Sequence, residues 1–366
     1  MCVSQLFTAS GVFFPLSKLE MQNQLRALIL LVSLILVPIA IHRQDFHFVL
    51  PMNNRTSQIT IAHRQRQSQP RSVILFLVGG DRAKSRKMHH FLHSTLPLLE
   101  ANFLQTYPYP VHIFHEGISD KLKLQISTLI PSSPRVTLEN VSHIFARTPP
   151  GVTEKEIGQW IKLVRTWGRG YRMMCRFWAG LVWTLPSMSK YEYYWRLDSD
   201  SYLTKPIRID PFLELRRRDC QYGFLSTLHD GPKVVYRMWH TYEVWLNQTK
   251  AIANSSARDA TRNYMNGFAL DPHTGEFARL MYDNNFELGT FHLKRHPLYQ
   301  DMFKFFDGNP PYGFMRYRWG DAPWHTLAVH TVLQGRQLCN FSADFVGYQH
   351  AGNATPIHED KPASLP

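Results

Sequence analysis

Between residues 72 and 140 the chain alternates short apolar runs with amphipathic ones. Ser72–Val78 (SVILFLV) is apolar after its first residue and stops at Gly79-Gly80-Asp81, which predicts a buried strand feeding a loop. Residues 89–106 carry apolar positions at helical spacing, with Pro97 as a kink. Val111–His115 predicts a second strand, 120–130 a helix and Val136–Glu139 a third strand. Strand–helix–strand–helix–strand is the pattern of a parallel α/β sheet, in which ligands bind beyond the carboxyl ends of the strands. The Gly79-Gly80 loop reads equally as a close-approach loop at such an end or as an ordinary tight turn.

Residues 171–185 form a strongly apolar stretch that predicts one helix ending before Pro186. It leads into Tyr191–Tyr202, an aromatic run of strand character that ends in Asp198 and Asp200. On a strand, positions i and i+2 share a face, so the two carboxylates form a seat for a hard divalent cation whose shell substrate phosphates complete. The competing reading is a polar strand-to-loop turn. Further on, 219–224 predicts a strand, 236–246 a helix, 247–262 an exposed loop, and 291–306 a strand end followed by a helix. No internal repeat is visible.

Ahead of residue 71 the pattern changes. Ala27–Ile41 is nearly free of polar groups and predicts a short signal-anchor transmembrane helix, with a cleaved signal peptide as the alternative. Residues 1–26 then form a cytoplasmic tail. Residues 42–70, rich in Arg, Gln, Ser and His, form a flexible stem. A folded catalytic body at 71–350 and a disordered tail at 351–366 complete the division. Asn-x-Ser/Thr tripeptides begin at Asn54, Asn140, Asn247, Asn254, Asn340 and Asn353, a spread that favours a lumenal body. Of the cysteines, Cys2 falls in the cytoplasmic tail, and Cys175, Cys220 and Cys339 allow at most one intramolecular disulfide. The net charge of +13 suits anionic partners: nucleic acid, a membrane surface or phosphorylated donors. With no basic block, zinc-finger spacing or RNA-binding aromatic motif, the expectation is that nucleic acid is not a partner.

Five motifs then stand in order: Tyr171-Arg172-x-Met-Cys-Arg176-Phe, Tyr193-Tyr-Trp-Arg196, Asn285-Phe-Glu287, Arg318-Trp-Gly-Asp-Ala-Pro323 with His325, and Gly347-Tyr-x-His350. Their order and rough spacing resemble glycosyltransferase family 15, the fungal-type α-1,2-mannosyltransferases, over about Ser72 to His350. The resemblance implies an α/β fold of the GT-A type, with a mostly parallel central sheet flanked by helices behind a single-pass type II Golgi anchor. It also implies GDP-mannose as donor, Mn²⁺ as cofactor, anomeric retention and a mannose-terminated glycoprotein or glycolipid glycan as acceptor.

By that resemblance Asp198 and His350 are metal ligands, Glu287 is the proposed nucleophile and Tyr171 lies near the donor and that glutamate. Arg196, Asp200, Arg318 and Asp321 are donor- or acceptor-site residues. Glu287 acts either as a covalent nucleophile or by stabilising an oxocarbenium-like transition state. Asp321 reads equally as a helix N-cap or structural support and as an acceptor contact, and His325 as a packed histidine. The sequence departs from the family in having Asp198-Ser-Asp200 for Glu-Pro-Asp, and Leu280-Met-Tyr-Asp283 for Cys-His-Phe-Trp. A metal-dependent transferase using another nucleotide sugar, and a non-catalytic glycan-binding module, are the alternatives. The mannosyltransferase reading expects Asp198, Glu287 and His350 to converge in one cleft.

Overall fold

Ser72–Val78 forms the strand its apolar run predicts, near the middle of a seven-stranded sheet. The computed structural model describes residues 70–80, 86–164 and 167–350. The predicted cytoplasmic tail, the 27–41 anchor, the stem up to residue 69, Asp81 and the 351–366 tail lie outside the described residues. Among the described residues, no helix is long and apolar enough to cross a membrane.

The strands are β1 (Ser72–Val78), β2 (Val111–His115), β3 (Val136–Asn140), β4 (Tyr193–Leu197), β5 (Ser201–Leu203), β6 (Tyr222–Phe224), β7 (Thr227–His229), β8 (Leu280–Tyr282), β9 (Phe286–Thr290), β10 (Leu338–Asn340) and β11 (Tyr348–His350). The large sheet runs β10-β6-β9-β4-β1-β2-β3, with β5 paired to β11 and β7 to β8 in small ribbons. Side chains alternate across the sheet. Val73 and Leu75 enter one core with Trp178 and Trp183, whereas Ile74, Phe76 and Val78 enter the other with Phe91 and Phe103. Both faces are covered, which is why β1 is apolar at nearly every position. Each such buried side chain contributes about 1.5–3 kcal/mol.

The sheet is mixed. β1 pairs in parallel with β2 and β4, and β2 with β3, but β9 runs antiparallel to both β4 and β6. The start of β9 therefore meets the carboxyl end of β4, and Asp198 N donates to Asn285 O at 3.1 Å. No hydrophobic pattern carries that reversal of direction, because period and polarity are the same either way.

Two local expectations are corrected, and a third, the helix over 89–106, is borne out with irregular turns around Pro97. The 89–106 helix persists past Pro97 because π-helical turns at Phe91–Thr95 and Glu100–Leu104 flank Leu96–Leu99 and accommodate the residue without an N–H. The 171–185 helix instead spans Arg169–Ala179 and breaks at Gly180, where a Cβ would lie 2.2 Å from the Phe303 ring. Only Gly lets the two segments pack that closely. Residues 247–262 are not a loop: Ser255–Ala269 is helical, and Asn254 Oδ1 caps it by accepting from Ala257 N at 2.8 Å. A disulfide joins Cys220 to Cys339 and leaves Cys175 as a buried thiol.

Candidate active site

β4 ends at Leu197, so Asp198-Ser199-Asp200 is a turn rather than a strand extension. Ser201 N closes it onto Asp198 O at 3.0 Å, and Thr95 Oγ1 donates to Ser199 O at 2.9 Å from the helical side. The two acids meet through this turn and not through strand alternation. β5 follows at once and pairs antiparallel with β11, placing His350 opposite Ser201. Gly347 is obligatory there, since a Cβ would lie 2.6 Å from Lys205 Cβ. Chain ends of β4 and β11, about 150 residues apart in sequence, are thereby brought to one point.

At that point one ligand atom each from Asp198, Asp200 and His350 lies within 4.8 Å of the others. His350 Nε2 is 3.9 Å from Asp198 Oδ2 and 3.3 Å from Asp200 Oδ1. Asp200 Oδ1 is buried without a hydrogen bond of good geometry. Two carboxylate oxygens and an imidazole nitrogen at this spacing fit one divalent ion after sub-ångström closure, since an octahedral ion keeps its ligands within about 4.2 Å. Burial raises the Asp198 carboxyl above its ordinary value, against the pull of Arg196. Burial acts the same way on Asp200, but His350 and Lys87 outweigh it and bring that carboxyl down to about 2. Burial lowers His350, and Asp200 and Asp198 more than reverse this, so the net shift is upward.

The triad opens into a cleft of about 530 Å³ at the carboxyl ends of β1 and β4. Asp198, Arg196, Asp321, Tyr171 and His350 line it together with Gly79 of the β1 loop. Gly80 is held behind that loop by close approach to Glu116 O, where a Cβ would lie at 2.8 Å. Tyr171 OH accepts from Arg318 Nη2 at 2.9 Å, and the guanidinium lies over the tyrosine ring at 4.6 Å. Burial raises the Tyr171 phenol, so it stays protonated. Trp167, 59% exposed, stacks on the same ring at 4.8 Å and also lines the cleft.

Glu287 is brought close but not into the cleft. Along β9, Phe286 and Leu288 face one core and Glu287 faces the other, where it is completely buried. Its oxygens receive Tyr194 OH at 2.5 Å and Lys294 Nζ at 2.7 Å, with His325 Nδ1 at 2.9 Å. Burial opposes its ionisation, but His325, Lys294 and Arg196 outweigh burial and hold the carboxyl well below its usual range. Burial pushes Lys294 down to about 8, with Glu287 opposing. The expected three-way convergence is thus two residues in the cleft and a third one layer beneath. Arg196 joins the layers: it lies 3.6 Å from Asp198, 3.7 Å from Glu287 and 2.6 Å from Asp321, stacked 4.4 Å above Trp178.

Asp321 is not a cap. Gly320 holds the N-cap position of helix Asp321–Leu333, and Asp321 Oδ2 accepts from Arg196 and from Asn284 Nδ2 at 2.8 Å. His325 is packed, as expected, but both ring nitrogens are engaged, Nε2 donating to Trp178 O at 2.9 Å and Nδ1 lying 2.9 Å from Glu287 Oε2. Sequence reasoning missed Lys87, whose exposed side chain reaches Asp200 Oδ2 at 3.3 Å, and Asn284, Lys294 and Trp167. Lys294 left no distinct signal, because Arg295, Asp301 and Lys304 stand in the same stretch Phe291–Phe306.

A family model described as glycolipid 2-alpha-mannosyltransferase matches residues 47–361. O-glycoside alpha-1,2-mannosyltransferase homolog 2 of Schizosaccharomyces pombe is 31% identical over 183 residues, covering 50% of this chain and 46% of the relative. The glycolipid 2-alpha-mannosyltransferase of Saccharomyces cerevisiae is 23% identical over 306 residues, 82% of this chain and 65% of its own length. The chain spans about half the length of the first curated relatives it matches. Core-mannan synthase A from Aspergillus fumigatus, solved in an Mn/GDP form, superposes with a TM-score of 0.66 at 21% identity, over 78% of this chain and 75% of that one. Ktr4p from S. cerevisiae gives 0.64 at 22% identity, over 77% and 71%. At these identities the likeness establishes the fold, a mixed α/β sheet of the GT-A type.

Proposed function

The chain belongs to the glycolipid 2-alpha-mannosyltransferase family, and on that premise we propose that it is a retaining α-1,2-mannosyltransferase that moves mannose from GDP-mannose to a mannose-terminated glycan. The observation that carries the reading is the Asp198–Asp200–His350 cluster at the mouth of a cleft large enough for a sugar nucleotide. Mn²⁺ suits its mixed oxygen and nitrogen donors. Bound there, the ion supplies Lewis-acid stabilisation of the departing diphosphate.

The chain's own residues do the rest. Lys87, with its ammonium 3.3 Å from Asp200, adds a cation beside the leaving diphosphate. Arg196 holds Asp198 and Asp321 in place and compensates their charge. Tyr171 accepts from Arg318 and so keeps its own proton for a donor or acceptor oxygen in the cleft. Asp321 offers its carboxylate to the acceptor side. Glu287, buried behind Arg196, acts through that guanidinium, holding it beneath the cleft, rather than by bonding to the sugar. That placement favours same-face attack over a covalent intermediate.

The body lies in the lumen of the Golgi, carried by the 27–41 anchor as a single-pass type II protein; the Cys220–Cys339 disulfide supports an oxidising compartment. The test is transfer to methyl α-mannoside by the full chain with GDP-mannose or UDP-sugars, with NMR of the product anomer. Transfer from GDP-mannose with α product supports the reading. Transfer only from UDP-sugars, or nucleotide binding without turnover, replaces it with the other-donor or glycan-binding alternative.

A further inference from the structure

Among the described residues the large sheet has two open edges, β3 and β10, and each ends on an asparagine, Asn140 and Asn340. Each asparagine opens an acceptor tripeptide for N-glycosylation, Asn140-Val-Ser142 and Asn340-Phe-Ser342. The two sites are built alike. The middle residue is completely buried, and its N–H continues the ladder inward: Val141 N to His115 O at 2.9 Å, Phe341 N to Phe224 O at 2.8 Å. The serine is exposed, and its N–H donates back to the asparagine Oδ1, at 2.9 Å for Ser142 and 2.7 Å for Ser342. The carbonyl of each side-chain amide is thus tied to the chain, and Nδ2 is left on the exposed side. Because β3 and β10 both run in the direction of β4, the two asparagines stand at the same end of the sheet as Asp198.

We propose that Asn140 and Asn340 are N-glycosylated and that their glycans shield the two sheet edges. Open edges carry unpaired backbone groups and template association with other chains, and apart from the shortness of β10 and the charge of Glu139 in β3 these two strands hold no proline or lysine to blunt them. A branched, hydrated glycan at the last residue of each edge strand adds a far larger obstruction. The modification transfers an oligosaccharide from a lipid-linked diphosphate donor. The C1–O bond to phosphate breaks, C1 bonds to Nδ2, the amide loses one proton, and the lipid diphosphate leaves. The remaining described tripeptides stand away from the sheet: Asn254 caps a helix, and Asn247 Oδ1 accepts from Arg262 Nη2 at 2.7 Å.

The inference rests on the lumenal placement of the proposed function, and the experiment separates the two. The full chain is expressed in a eukaryotic secretory host and treated with an amidase that releases Asn-linked glycans and leaves aspartate. Peptides spanning Asn140 and Asn340 are weighed, and the Cys220–Cys339 link is read without reduction. Conversion at both asparagines in disulfide-bonded protein is the expected result. Ser142→Ala and Ser342→Ala keep the backbone donor to each asparagine but abolish the acceptor tripeptide. Each is expected to remove its own glycan step on a gel, and the double variant to show a several-fold rise in self-association at unchanged melting temperature. Unmodified peptides with the disulfide formed overturn the proposal alone. Unmodified peptides with reduced cysteines overturn it together with the lumenal placement. Unchanged self-association in the double variant overturns the shielding role.

Discussion

Arg196 and Glu287 stand opposite each other in neighbouring antiparallel strands, with Nη1 3.7 Å from Oε2. The pair connects a closed layer of charge beneath the sheet end to the open layer that lines the cleft. Arg196 is the only cation within reach of Asp198, Glu287 and Asp321 together among the described residues. Its replacement by Met leaves three acids to share the loss. We expect Arg196→Met to destabilise the fold by about 3–5 kcal/mol, the usual cost of removing one partner from a buried ionic network. Urea denaturation of the variant checks this, and a loss below about 1 kcal/mol contradicts it.

Glu287 gives the fold a defined acid sensitivity. Its folded carboxyl is held well below the ordinary value, whereas in the unfolded chain it titrates near about 4.3. The folded state therefore gains stability from the ionised form, fully present above about pH 4.3 and lost as the pH falls toward the depressed folded value. Glu287→Gln is expected to be less stable at neutral pH and to show a flatter acid limb. Melting temperatures from pH 3 to 7, compared between wild type and variant, measure both. An acid limb of unchanged slope contradicts the burial of a charged Glu287.

Lys87 is expected to act on the donor and not on the fold. Its side chain is 66% exposed and touches only the cleft carboxylate among its ion-pair partners, so Lys87→Met is expected to leave the melting temperature unchanged. Loss of a charged contact to a diphosphate costs about 1.5–3 kcal/mol, so the KM for the donor is expected to rise about tenfold or more. Lys87→Arg restores most of it. Steady-state kinetics with both variants decide the point; an equal fall in kcat with unchanged KM opposes it.

The Cys220–Cys339 bridge ties β10 to the chain just ahead of β6, across 119 residues of sequence. Reduction, or Cys339→Ser, is expected to cost about 2–4 kcal/mol. Guanidinium titrations with and without reductant measure it, and coincident curves contradict it.

Much of this arrangement was legible in the sequence, for reasons that also mark the limits. β1 and β4 announced themselves because both faces are buried and their side chains are apolar or aromatic at nearly every position. Asp198 and Asp200 were legible as a pair, although a turn rather than a strand face brings them together. The family motifs carried His350, which composition alone leaves as one histidine near the end of the chain. What stayed hidden was contact across distance: β9 reversed against β4, the Glu287–Lys294 pair closed under the sheet, and Lys87 reaching Asp200 from another helix. Helix Ser255–Ala269 was hidden for a local reason. Its start is crowded with Asn and Ser, which favour turns, yet Asn254 spends its side chain on capping.

The central claim is that Asp198, Asp200 and His350 hold the cation through which the cleft binds a nucleoside diphosphate. Calorimetric titration of GDP into the full chain, with Mn²⁺ or with chelator, tests it directly. The account predicts binding that needs Mn²⁺ and weakens by about a hundredfold in Asp198→Asn and His350→Ala, a loss of about 2.7 kcal/mol, with melting temperatures little changed. GDP binding of equal strength in chelator, or in both variants with Mn²⁺ present, contradicts it.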